Sequence, residues 1–479
     1  MSFKNMVTQD GPSRFVLPRI KTMRAPVVAF LSPELFAQTG ENLWQQAFDS
    51  ASYEGVTGVY LMPDTHLGYG IPVGGVVVTD GVIIQSGSGY DISCGVVYLR
   101  VPGLHASDIA DKDSRQRWIT EVELRIATGV GADPTEMMTR EYMKSTVNMD
   151  EILRHGAAAL GVKAEVCERQ FIEVNEAAFS GNRETRKSGP IQKALAKAVP
   201  QLGSVGGGNH FVEMQVDEQT GEVWVMVHCG SRGYGWNVAN HFFYEGGRLR
   251  GLPPNRREQS WLYADEALGQ EYWAWHNSAA NFAVANRHTI VRGVQAATRI
   301  IYGKEAEVFY EISHNLVQEE TIVLPDGTTT KGFVHRKGAT RAMPAGHPDL
   351  VGTKWADTGH PCLIPGSMYD GAAILYPLEG AYQSGCSVNH GSGRSMARGE
   401  ARRELASLQG EINAEMAEVK RTLGGVEVIG VVSNHPNIPL DECCHVYKDL
   451  DTVLQVLLDN GVARLEARLF PVANLKGAD

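Results

Sequence analysis

The sequence predicts an α+β protein: one large domain spanning residues 1–479, with mixed sheets and peripheral helices. Three observations carry this. Val- and Ile-rich runs bounded by Gly and Pro fill residues 51–101 and recur at 223–227 and 307–313, which is strand composition. Helical patterns occupy 105–200, 262–300 and 400–423. The two kinds of element succeed one another without the regular alternation of a doubly wound sheet.

In chain order, "GVTGVYLMPD", "IPVGGVVVTD", "GVIIQ" and "GVVYLRV" read as short strands joined by turns. Residues 105–200 read as mostly helical. They are broken by "SGNRETRKSGP" (Ser180–Pro190), a polar stretch with a small basic cluster, read as an exposed loop in preference to an RNA contact. "VWVMV" (Val223–Val227) and "EVFYEIS" (Glu307–Ser313) read as strands, each followed at once by a His. Within 262–300, Tyr272, Trp275, Ala279 and Phe282 recur at helical spacing, which marks a core face. "EARRELASLQGEINAEMAEVKRTL" reads as one further helix, and the tail "DLDTVLQVLLDNGVARLEARLFPVANLKG" as helix then strand.

Composition bounds the class. The 479 residues are 43% hydrophobic and 21% charged, as in a soluble globular protein with a sizeable core. A net charge of −11 argues against nucleic-acid binding over the whole surface and leaves a local basic groove open. No apolar run reaches the roughly 18 residues of a membrane span, so no membrane partner is expected. The opening "MSFKNMVTQDG" lacks the apolar core of a signal peptide. Seven scattered cysteines, an odd number, make a disulfide framework a poor reading and a reducing cytoplasm the expected compartment. Each cysteine is then a ligand, a nucleophile or a small core residue.

Five segments share one grammar, a Gly-rich or strand-end turn presenting His, Cys, Asp or Asn. They are "YDISCG" (Asp91, Cys94), "GGGNHFVE" (Asn209, His210, Glu213), "VHCGSRG" (His228, Arg232), "ISHN" (His314, Asn315) and "NHGSGR" (Asn389, His390, Arg394). A strand fixes its backbone, so a ligand at its end is held in place, and Gly beside it lets a phosphate or metal come close. Asp91, Cys94, His210, His228 and His314 would make a transition-metal site, with Cys94 able to bridge two ions. Ligand softness alone favours Zn²⁺ ahead of Mn²⁺, although no local zinc spacing such as CxxC is present. Any one of these His, taken singly, is more often a hydrogen-bonded structural residue. Arg232 and Arg394, each four residues after a His, and Arg398 four beyond Arg394, suit bidentate phosphate binding. Arg336 and Lys337 of "HRKGATR" add to this basic pattern, while Arg341 reads as solvated surface charge. His66 reads as a turn-stabilising His, and Cys229, Cys443 and Cys444 as small packed residues.

Taken together these residues resemble the RtcB family of RNA ligases. The motifs that carry the resemblance run over most of the chain: "LMPDTHLGYGIPVGGV", "GYDISCGV", "GGGNHFVEMQ", "VHCGSRGYG", "NFAVANR", "EISHNLV", "HRKGATRA", "IPGSM", "NHGSGR", "VYKDLD" and "LKG". The mostly helical region of about 105–195 matches least. The resemblance implies a GTP- and Mn²⁺-dependent ligase that joins an RNA 3′-phosphate or 2′,3′-cyclic phosphate to a 5′-hydroxyl. It implies His390 as the nucleophile that becomes a covalent histidine–GMP. Two Mn²⁺ ions would share Cys94, one completed by His228 and His314, the other by Asp91 and His210; this overrules the preference for zinc. Asn209, Phe211, Glu213, Asn315, Pro365, Gly366, Ser367, Met368, Gly391, Ser392, Gly393, Tyr447 and Lys476 match nucleotide-site positions. Arg232, Arg394 and Arg398 match positions that meet RNA or phosphate. Broken RNA, tRNA among it, is the implied partner, with an archease-like activator beside it.

Two departures stand out. Ala372 lies about where the family has a nucleotide-contacting Ser, and Ser392 replaces an Ala of the commoner "HGAGR". They bear on nucleotide preference and substrate, as in a paralogue specialised for another RNA. The competing readings are a metal-dependent phosphoesterase acting on RNA ends, which would not need His390, and an RNA-binding protein without catalysis.

Overall fold

Val-, Ile- and Gly-rich strands build two large sheets in a computed structural model that describes residues 2–129, 148–163, 174, 179 and 189–477. Among these residues the first sheet runs, edge to edge, Thr8–Gln9, Arg14–Leu17, Val27–Phe30, Val56–His66, Val73–Thr79, Thr329–Lys337 and Asn315–Val323. The second runs Glu307–Ser313, Gly95–His105, Glu222–Cys229, Phe211–Asp217, Ala463–Lys476, Ala372–Pro377 and Cys362–Pro365, with Val432–Ser433 alongside Ala463–Lys476. Neighbours are antiparallel except Val27–Phe30 with Val56–His66 and Val432–Ser433 with Ala463–Lys476. The mixed α+β expectation therefore holds, and the chain returns to both sheets from segments far apart in sequence.

Central strands of the second sheet are covered on both faces, so their polar residues, Glu213 and Gln215 among them, are buried with the apolar ones. Glu222–Cys229 and Phe211–Asp217 are buried at every position. The long helix Ala267–Tyr302 lies against Glu222–Cys229 and Gly95–His105, and Tyr272, Trp275, Ala279 and Phe282 are fully buried as the spacing required. Every residue from Ala274 to Val291 on that helix is buried, polar ones included. Its apolar stripe therefore understates its role, since Arg287 serves the site described below. The helix starts later than 262: Trp261–Tyr263 is a strand paired with Val82–Ile84.

The segment 400–423 is not one helix. Arg398–Glu404 and Gln409–Glu418 are separate helices, joined through a 3₁₀ turn at Ala406–Leu408. Lys420–Leu423 then forms a hairpin with Val426–Ile429. The reason is local: Gly424 and Gly425 take φ +56° and +80°, the two positive angles a two-residue hairpin turn demands. The tail is helix Leu450–Asp459 followed by strand Ala463–Lys476, as read. The described parts of 105–200 are helical where they are regular. The Ser180–Pro190 loop lies outside the described residues apart from its last two positions, which open a helix.

Arg341 is buried, not solvated, and Arg336 is 1% exposed with both terminal nitrogens on the Glu320 carboxylate. A bare guanidinium cannot be buried without such a partner, so this ion pair is structural.

Candidate functional site

The ends of four second-sheet strands converge on one cavity of about 290 Å³, at the small end of ligand pockets. Strand Gly95–His105 is preceded by the turn carrying Asp91 and Cys94, closed by Cys94 N–H donating to Asp91 O at 3.1 Å. Ser93, at φ +58°, gives this turn its reversal. Gly230 is obligatory beside it, because a Cβ there would stand 2.2 Å from Asp91 Oδ1. His228 closes the strand Glu222–Cys229, His210 precedes Phe211–Asp217, and His314 follows Glu307–Ser313.

These donors meet. Cys94 Sγ lies 3.4 Å from His210 Nε2 and 3.3 Å from His228 Nε2. His228 Nε2 lies 3.3 Å from His314 Nε2, and Asp91 Oδ2 lies 3.1 Å from His210 Nε2. Two trios result, Cys94–His228–His314 and Asp91–Cys94–His210, with the thiol common to both. The His210 and His228 Nδ1 atoms face backbone carbonyls of Val205 and Asn209, each at 3.0 Å. A ring nitrogen facing a carbonyl carries the proton, so both Nε2 lone pairs point inward. Lone pairs converging from imidazoles, a thiol and a carboxylate are the donor set for cations, and the residues present fit two of them.

The electrostatics set His210 apart from His228 and His314. Burial first, then the neighbouring imidazoles of His210 and His390, push His228 well below its ordinary value. Burial, then His390 and His228, do the same to His314. Burial opposes a charged His210, but Cys94, Cys229 and Asp91 together overcome it and raise that imidazole. Burial, followed by the Asp91 charge, pushes the Cys94 thiol up to about 12. A coordinated cation reverses that penalty and holds the thiolate.

Facing this cluster is His390, whose ring centroid lies 5.0 Å from that of His314. Its Nδ1 is 2.6 Å from Asp64 Oδ2, and its backbone N–H donates to the same oxygen at 3.2 Å. Asp64 is fully buried. With Nδ1 committed to this carboxylate, Nε2 is the nitrogen left to a substrate in the cavity. Lys448 donates to the carbonyls of Pro63 and Thr65 on either side of Asp64, at 3.2 and 2.9 Å.

The cavity wall brings together Asp91, Cys94, Asn209, Phe211, Glu213, His228, His314, Asn315, Pro365, Gly366, Ser367, Met368, His390, Gly391, Ser392, Gly393, Arg394, Arg398, Tyr447 and Lys476. His210 sits behind Cys94 and not on the wall. Arg232 is also absent from it: at φ +54° its guanidinium packs on Gly206 and donates to Ser204 Oγ at 3.2 Å. Ala372 is a buried strand residue, likewise off the wall.

Glu213 is buried, accepting from Gln215 at 2.6 Å and Asn474 at 2.6 Å, and burial raises its carboxyl to about 7. Ser392 Oγ is buried with no hydrogen-bond partner among the described residues, which leaves a hydroxyl free on the wall. His66 Nδ1 faces the carbonyl of Asp64 at 3.0 Å, the turn-stabilising role expected, and its ring lines the cavity as well. Cys229 is buried with its Sγ on the carbonyls of Ser204 and Val205, next to His210.

Sequence reasoning missed three supporting residues. Asp64 lies in "LMPDTHLGYGIPVGGV", which was the available signal for it. Glu442 gathers Arg394 at 3.3 Å, Arg398 at 3.1 Å, Lys476 at 3.4 Å and the Tyr447 hydroxyl on one carboxylate. Arg287 donates to the carbonyls of Ser93 at 2.5 Å and Cys229 at 2.9 Å and pairs with Glu311. It thereby ties together the backbones next to Cys94 and His228. Its place in "NFAVANR" was the available signal.

Fold and site define an α+β protein with a Cys/His/Asp cluster able to hold two cations beside an Asp-supported histidine. Residues 46–477 match the family described as tRNA-splicing ligase RtcB. The chain is 32% identical to the tRNA-splicing ligase RtcB of Thermococcus kodakarensis over 499 residues, covering 97% of each chain. It is 33% identical to the protein of that name from Archaeoglobus fulgidus, covering 95% of each. It is 30% identical to the RNA-splicing ligase RtcB of Mycobacterium tuberculosis, covering 87% of this chain and 96% of that one. The chain belongs to the RtcB family. No helix among the described residues is long and apolar enough to cross a membrane.

Proposed function

We propose that this protein is a GTP-dependent RNA ligase. It joins RNA 3′-phosphate or 2′,3′-cyclic phosphate ends to 5′-hydroxyl ends through a covalent histidine–GMP on His390. The observation that carries the reading is the Asp64–His390 pair, which presents Nε2 to the cavity within a chain of this family. A neutral imidazole is nucleophilic near neutral pH, and the phosphoramidate it forms can pass its group on.

His390 Nε2 attacks the α-phosphate of GTP, forming the N–P bond as pyrophosphate leaves. Asp64 holds the Nδ1 proton and stabilises the positive ring that develops. The RNA 3′-phosphate then takes the guanylate from His390, and the 5′-hydroxyl displaces GMP to seal the strand. Asp91, Cys94, His210, His228 and His314 would hold two Mn²⁺ ions, which when bound neutralise phosphate charge. Glu213, Tyr447 and Lys476 hold the guanylate from one side, and the loops Pro365–Met368 and Gly391–Gly393 from the other. Arg394 and Arg398 meet the RNA phosphate. Broken RNA, tRNA included, is the partner, and an archease-like activator acts with it.

The test is incubation of the purified protein with GTP and Mn²⁺, followed by intact mass and peptide mapping. A GMP adduct on His390, lost in His390→Ala, is the expected result. No adduct, with metal bound, overturns the nucleotidyl-transfer step, and RNA-end processing that survives His390→Ala favours a phosphoesterase.

A further inference from the structure

A second group of metal-binding side chains lies away from the cavity. Glu415, on the helix Gln409–Glu418, faces Cys444 and His445, which open the 3₁₀ turn Cys444–Val446. Glu415 Oε2 stands 3.1 Å from His445 Nε2 and 3.8 Å from Cys444 Sγ. One donor atom from each residue lies within 4.8 Å of the other two.

A plain hydrogen bond accounts for Glu415 and His445. The Cys444 thiol is hydrogen-bonded to the same carboxylate oxygen, so a carboxylate, an imidazole and a thiol, three kinds of zinc ligand, meet at one point. Tetrahedral Zn²⁺, with Zn–S about 2.3 Å and Zn–N or Zn–O about 2.0–2.2 Å, sets its ligand atoms roughly 3.3–3.6 Å apart. The two distances above bracket that spacing. Partial exposure, 46% for the His445 side chain and 34% for Glu415, gives an ion a way in and leaves a fourth position for water. The sequence reading treats Cys443 and Cys444 alike as packed residues, and the structure separates them. Cys443 is buried with Sγ on the Leu440 carbonyl, while Cys444 is half-buried and turned to Glu415.

We propose that Glu415, Cys444 and His445 form a binding site for a thiolate-seeking divalent cation, Zn²⁺ by its donor set, separate from the cavity cluster. On binding, the Cys444 thiol gives its proton to solvent and a metal–sulfur bond forms. The position couples the site to the cavity mechanically. Ser395 N–H donates to Val446 O, and Lys448 N–H donates to Gly393 O, both at 2.9 Å. The ion fastens the helix Gln409–Glu418 to the segment that backs the His390 loop and carries Tyr447.

The test strips the full-length protein with a chelator and titrates zinc chloride against a chromophoric competitor. Cys444→Ser and His445→Ala are each expected to take one equivalent less than the unsubstituted chain, since both retain the cavity cluster. Equal zinc uptake in all three proteins overturns the proposal, an adventitious ion being all that remains. A second measurement uses the unsubstituted chain alone: alkylation of Cys444, followed by peptide mapping, with Zn²⁺ or Mn²⁺ present. Zinc at ten times its Kd should slow that alkylation about tenfold, and Mn²⁺ should not. An alkylation rate indifferent to zinc overturns the site, and equal protection by Mn²⁺ overturns the identity of the ion. Neither readout depends on ligase activity, so failure here is distinguishable from failure of the proposed function.

Discussion

Asp64→Asn is the substitution that probes the proposed nucleophile most directly. It preserves side-chain volume, so the packing around this fully buried position is kept. What changes is the bond at 2.6 Å to His390 Nδ1. An amide whose oxygen takes the place of Oδ2 accepts from both the His390 backbone N–H and Nδ1, so the Nε2 lone pair still faces the cavity. What is lost is the carboxylate charge that stabilises the ring as it becomes positive. A hydrogen bond to a charged group contributes about 1.5–3 kcal/mol, which is roughly 10- to 150-fold in rate. The assay is the time course of GMP-adduct formation by intact mass under single-turnover conditions. Asp64 is not on the cavity wall, so GTP affinity should hold while the adduct rate falls. Adduct formation at the unsubstituted rate would refute the stabilisation of the His390 ring by the Asp64 charge.

Four further outcomes follow from the same geometry. Cys94→Ser removes the atom common to both trios, so Mn²⁺ binding measured by metal analysis should drop and adduct formation should vanish; full activity sinks the bridging assignment. Glu213 is raised to about 7 from an ordinary 4.5. A raised carboxyl costs stability as pH climbs from the unfolded value through the folded one, so the penalty is absent below about 4.5 and complete above about 7, roughly 3 kcal/mol in all. Glu213→Gln should therefore match the unsubstituted protein in thermal midpoint at pH 4.5 and exceed it at pH 8, and a pH-independent difference contradicts this. Arg287→Leu strands the 1%-exposed Glu311 without its cation, at a cost of about 3–5 kcal/mol, read as a lower urea midpoint; an unchanged midpoint removes Arg287 as the tie between the ligand-bearing turns. Ser392→Ala deletes a buried hydroxyl without a hydrogen-bond partner among the described residues and should raise KM for GTP by about 2- to 12-fold, the worth of one neutral hydrogen bond, with an unaltered KM showing that the nucleotide does not use it.

The sequence by itself determined the donors and the strands that carry them. Asp91, Cys94, His210, His228 and His314 each sit in a Gly-rich or strand-end turn, and such patterns are local, so they survive in one dimension. The core face of the helix Ala267–Tyr302 was legible for the same reason. Short-range signals also misled where a stronger one lay nearby: the Gly-Gly pair at 424–425 makes a hairpin where the preceding residues suggest continued helix.

Only the tertiary structure decided which donors share an atom and what supports the histidine. Asp64 is 326 positions from His390, and no spacing rule links them. Glu442 becomes a hub for Arg394, Arg398, Lys476 and Tyr447 because one buried carboxylate must be matched by whatever cations and hydroxyls the fold delivers. Arg232 and Arg394 look alike in sequence, each among glycines and four residues after a His. The backbone sends one to Ser204 and the other to the cavity. Residue type and spacing set what each group can do, while the burial and convergence of distant strand ends set which group does it.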